Sequence, residues 1–83
     1  MSENRVTAAF EAAREKFDSF ATVCGILDIS NAYAYHVMKE GEMSLPCALK
    51  MEIILEGDIT WRELCPRQAA KIDVVKERMT IAL

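Results

Sequence analysis

Apolar residues recur at three- to four-residue intervals along nearly the whole chain, and this helical period, in place of alternation, predicts an all-α domain. Val6, Phe10, Ala13 and Phe17 mark one stripe of a first helix over residues 4–17, with Glu11, Arg14 and Glu15 on the opposite face. Asp18 or Ser19 is placed to cap a second, short helix that ends at Asp28 and turns Phe20, Val23, Cys24 and Leu27 inward. Ser30 then caps a third helix, from Asn31 to Glu40. At about 100° per residue, Ala34, Val37, Met38 and Gly41 share one side, and Ala32, Tyr35, His36 and Lys39 the other. Tyr33 falls on the boundary.

"EGEMS" predicts a loop, after which Ser44 and Pro46 open a fourth helix, "LPCALKMEIILE". Its apolar residues point almost all round, which predicts the central, most buried helix, and Gly57 suits the left-handed position that ends it. "ITWREL" carries the sharpest local signal. Thr60 and Glu63 form a capping box, with Ile59 and Leu64 as its hydrophobic staple, so a short fifth helix starts there. Ile72, Val75, Met79 and Ala82 then line one stripe of a final amphipathic helix, which either closes the domain or meets a partner.

Eighty-three residues make one domain, and 52 % hydrophobic content suffices for a compact core; scarce glycine and proline and the absence of repeats agree with the all-α reading. The three cysteines show no CxxC pairing and the start "MSENR" is polar, which points to free thiols in a reducing cytoplasm. No apolar run approaches the roughly 20 residues of a membrane span. A net charge of −3 weighs against nucleic acid, because phosphate neutralisation by Lys and Arg supplies much of that affinity; placement of the basic residues, not their sum, decides.

Two short helices joined by a tight turn, the second with a polar outward face, match a helix-turn-helix, whose second helix enters the major groove. Residues 20–39 place apolar Val23, Leu27, Ile29 and Val37 at core positions, and small Cys24 and Ala34 where the helices cross. The stretch resembles the helix-turn-helix of phage Cro and CI-type repressors. "SLPCALKMEIILEGDITWRELCP" extends the likeness to the small Cro-like and YdaS-type prophage regulators, so that residues 7–66 are covered. Two departures stand out: Asp28 occupies a turn position where glycine is usual and φ is positive, and "MKEGEMSLP" is a longer link than usual.

The resemblance implies a compact Cro- and lambda-repressor-like domain of five to six helices over 1–66; the C-terminal helix, 67–83, lies outside it, and its apolar stripe, with the small area that one 83-residue chain can bury, makes it a candidate dimerisation element whose alternative is packing within its own chain. It makes Ser30, Asn31, Ala32, Tyr35, His36 and Lys39 the candidates for DNA contact. Their chemistry suits the role: Asn bonds adenine through two groups, alanine meets a thymine methyl, and lysine reaches guanine or phosphate. Ser30 as a plain cap, and Tyr33 and Tyr35 as packing residues, are the alternatives. The amides near Ser19 and Phe20 form a phosphate site at the start of the second helix, with Arg14, Lys16 and Lys50 as candidate added charge. Glu40 and Glu42 flank the reading face and oppose it.

Neither catalysis nor a metal is expected. His36 is the lone histidine, the cysteines are scattered singly, and no Gly-rich phosphate loop or paired carboxylate site is present. No cofactor is implied. These readings predict a non-enzymatic, sequence-specific regulator, a Cro-like repressor that binds double-stranded operator DNA as a homodimer. An antitoxin-like module that binds a partner protein is the alternative.

Overall fold

A computed structural model, which describes residues 4–82 and the side chains of residues 4–79, folds the chain into six helices with no strand among the described residues. In chain order they are α1 (Arg5–Phe17), α2 (Phe20–Leu27), α3 (Asn31–Glu40), α4 (Leu45–Ile54), α5 (Trp61–Leu64) and α6 (Pro66–Ala82). The centre is α1, not α4. Val6, Ala9, Phe10 and Ala13 bury the whole inner stripe of α1, which packs against α2, α3, α4 and α5. In α4 only Cys47, Ala48 and Met51 are buried, while Leu49 and Ile53 reach solvent. Apolar residues on all sides of a helix give no direction to its burial, and here neighbours cover one side alone.

Helices this short leave a large share of their first-turn N–H groups without an intrahelical partner. Asn4 caps α1 instead of joining it: its Oδ1 accepts from Thr7 N–H at 2.8 Å and its Nδ2 donates to the Met38 carbonyl at 2.7 Å. The same side chain thereby ties the start of α1 to the last turn of α3. Glutamates serve as caps elsewhere. Glu52 of α4 accepts from Trp61 N–H at 2.9 Å, and Glu63 accepts from Thr60 N–H at 2.9 Å within the expected capping box.

The link between α3 and α4, residues 41–44, is of ordinary length and holds structure of its own. Gly41 takes the left-handed position (φ 71°) that ends α3, and a Cβ there would stand 3.6 Å from the Asn4 side chain. Met43 is buried, and its N–H donates to the Leu64 carbonyl at 2.9 Å. Between them, Glu42 turns away from α3 and accepts from Arg67 N–H at the start of α6, at 3.4 Å. Its Oε2 is buried without a hydrogen-bond partner, a cost that offsets part of what the cap contributes.

At the end of α4 the left-handed residue is Glu56 (φ 55°), one position before Gly57 (φ 83°). Gly57 N–H reaches the Glu52 carbonyl at 3.0 Å and Glu56 N–H the Ile53 carbonyl at 3.1 Å, the pairing of a Schellman motif. Glycine therefore takes the second of two positive-φ positions. Lys16 covers this end as well, donating from Nζ to the Ile54 carbonyl at 2.8 Å and lying 3.7 Å from Glu56.

The Thr60 N–H bond holds the Glu63 carboxyl below its ordinary range, against a lesser push upward from desolvation and with help from Arg5, 3.3 Å away, and the Thr60 hydroxyl. A carboxyl whose folded pKa is depressed contributes stability above its unfolded pKa and loses it as pH falls through the folded one. Denaturation midpoints should therefore drop as the medium is acidified below the ordinary Glu range, and Glu63→Gln should flatten that acid limb; a variant with the wild-type profile would dissociate the limb from this cap.

Candidate nucleic-acid interface

α2 and α3 are joined by three residues, Asp28, Ile29 and Ser30. Asp28 is left-handed (φ 58°, ψ 50°), as its place in a glycine-favouring turn predicts. Its N–H reaches the Gly25 carbonyl at 3.2 Å and Ile29 N–H the Cys24 carbonyl at 3.0 Å, closing α2 while Ile29 packs onto the core. Ser30 Oγ then accepts from Tyr33 N–H at 3.0 Å and starts α3. The angle between the helices is thus set by backbone bonds on both sides of the turn.

α3 is anchored on one face and open on the other. Ala34 and Val37 are buried, with Tyr33 and Met38 half-buried beside them. Asn31, Ala32, Tyr35, His36 and Lys39 are exposed together with Ser30, so the structure brings these six candidates to one side of α3 and its entry turn. Ser19 lies apart, at the start of α2, where its Oγ accepts from Thr22 N–H at 3.3 Å.

Tyr35 is 62 % exposed yet held in place, its ring 5.2 Å from that of Phe20, and Phe20 in turn is 5.8 Å from Phe10 of the core. Aromatic pairs at such separations contribute about 0.5–1.5 kcal/mol beyond burial. Phe20 is therefore a prop for the candidate reading face as well as a core residue. Periodicity along one helix carries no sign of this, because the partners lie on α1, α2 and α3.

The charges sort differently from their order in the chain. Arg14 lines two shallow depressions, one with Ser19 and Phe20 and one with Phe20 and Tyr35, so it stands between the α2 start and α3. Glu11, Glu15 and Asp18 share their rims. Lys16 is committed to the end of α4, and neither it nor Lys50 of α4 lines the depression at Ser19. Glu42 does not flank α3's open face, since it caps α6; of the two expected opposing carboxylates only Glu40 stays exposed on α3.

The three thiols, Cys24, Cys47 and Cys65, are free and buried, and burial pushes each pKa up, away from the nucleophilic thiolate. Among the described residues no three His, Cys, Asp or Glu side chains gather as metal ligands, and no helix is long and apolar enough to cross a membrane. No protein-family model, curated protein or solved structure matches this chain.

Left-handed geometry costs an L-residue about 1–2 kcal/mol, less for Asp than for most. Asp28→Gly should therefore raise unfolding free energy in urea by about 0.5 kcal/mol, after the greater backbone freedom of glycine in the unfolded chain is deducted. A loss of stability would mean that the Asp28 side chain supports the turn.

Proposed function

We propose that this protein is a sequence-specific DNA-binding regulator of transcription, a Cro-type repressor that occupies a two-fold operator as a dimer and excludes polymerase. The observation that carries the reading is the open face of α3: Asn31, Ala32, Tyr35, His36 and Lys39 exposed in one row on a helix fixed by its turn and by core contacts. Donors, acceptors, a methyl and a cation on one helix face are the chemistry of base-edge readout. Arg14 and the amides at the start of α2 add a backbone-positioning region.

The acidic balance weighs less against this reading than the net charge suggests. Glu42, Glu52 and Glu63 are engaged at helix starts, and Glu56 lies beside Lys16 at the far end of α4. Steering depends on the field at the docking face, where Lys39 and Arg14 carry no ion pair among the described residues but stand near Glu40, Glu11, Glu15 and Asp18. A protein-binding module of antitoxin type is the second reading, favoured by the exposed Val74, Val75 and Met79 of α6.

Mobility-shift titration against DNA upstream of the protein's own coding sequence separates the two. Asn31→Ala with His36→Ala should weaken binding by about 10- to 100-fold, the worth of one good base contact, while leaving thermal unfolding unchanged. Lys39→Gln should lower affinity across sequences and reduce the salt slope by about 1. Wild-type affinity in the double variant would remove α3 as the reading helix, and absence of any shift at low salt would favour the protein-binding reading.

A further inference from the structure

α1, α2 and α3 meet around the depression that Arg14 shares with Phe20 and Tyr35, a hollow of about 360 Å³. Small-molecule sites run from about 300 to 1,000 Å³, so it has room for one small ligand. Thr7, Phe10, Glu11 and Arg14 form its α1 side, a single stripe about 10 Å long, and Phe20, Tyr35 and Met38 form the rest. Its two ends differ. Thr7 Oγ1 donates to the Met38 carbonyl at 3.4 Å and closes one end, while Arg14 stands at the other, where it also lines the depression beside Ser19 and Phe20.

The apolar part of the hollow is aromatic. Phe10, Phe20 and Tyr35 make a row with ring centroids 5.8 and 5.2 Å apart, the second pair stacked at 29°. Such a row accepts a further ring, and the Met38 thioether also suits an aromatic neighbour. The charged part consists of Glu11 and Arg14, three residues apart on one face of α1, which pair neither with each other nor with any other described side chain. One anion and one cation thus stand a turn apart at the edge of an aromatic wall, while Glu15 and Asp18 line the neighbouring depression instead of this one. A ligand that is only anionic is opposed by Glu11, and one that is only cationic by Arg14. Adjacent groups of both signs satisfy both side chains.

We infer that this hollow binds a zwitterionic aromatic amino acid, its ring against Phe20, Tyr35 and Met38, its carboxylate on Arg14 and its ammonium on Glu11. Tyr35 also belongs to the open face of α3, and Arg14 to the region beside Ser19, so an occupied hollow withdraws two side chains from the candidate DNA surface. That regulatory use rests on the DNA-binding reading; the site itself does not, and its test contains no DNA.

Titration of the full chain with L-phenylalanine, followed by NMR, provides that test. The Phe20 and Tyr35 ring signals and the Met38 methyl should shift and saturate with a Kd of about 1 mM or below, while the Trp61 indole on α5 stays in place. Phenylacetate, which lacks the ammonium, phenethylamine, which lacks the carboxylate, and L-alanine, which lacks the ring, should each bind about threefold or more weakly. Glu11→Gln should erase the advantage of phenylalanine over phenylacetate, and Arg14→Gln its advantage over phenethylamine; both positions are exposed, so circular dichroism should show an unchanged fold. Absence of any saturating shift up to about 10 mM ligand would overturn the proposal. So would folded variants that keep both advantages, or alanine binding as tightly as phenylalanine.

Discussion

Every helix start in a structure of short helices exposes N–H groups that need partners, and the disposal of these groups is the constraint on which the rest of this fold depends. Asn4, Ser19 and Ser30 meet it locally, each accepting an amide three residues ahead. Glu52 and Glu42 meet it across the chain, at the starts of α5 and α6. Such bonds satisfy donors and also fix where one helix begins relative to another. Asn4 does both at once, through its Met38 bond.

From these attachments follows the rigidity of α3. Its start is set by the Asp28 turn and Ser30, its end by Gly41 and Asn4, and its inner side by Ala34 and Val37 against a core centred on α1. What remains outward is a row of side chains whose positions are defined by the scaffold, with Tyr35 held by the Phe20 ring. Pre-positioning of this kind lowers the ordering cost of binding any partner.

α6 contrasts with everything before it. A polar clasp and one buried alanine hold its first turns, and the remainder presents valines, a methionine and cations to solvent. A chain of this size buries a limited fraction of its surface, and the exposed part of α6 belongs to what is left uncovered.

Helix number, order and most helix bounds were legible in the chain itself. Capping residues and apolar spacing act within one turn, and Ser30, the Thr60–Glu63 box and the left-handed Asp28 stand where those local rules place them. The candidate face of α3 was legible for the same reason, since 3.6-residue periodicity sorts one helix into two sides. Local pattern could not say which helix is central: α4 is apolar all round and yet exposes Leu49 and Ile53, because burial is decided by neighbours. Nor could it assign the charges. Glu42 next to α3 in sequence serves α6 in space, Lys16 serves α4, and of the tail stripe Val75 and Met79 face solvent while Ile72 is half-buried and Ala82 lies outside the residues whose side chains are described. Sequence alone determined the elements and their faces, because those depend on contacts within a few residues; which face meets which, and where each charge points, was decided only by tertiary packing.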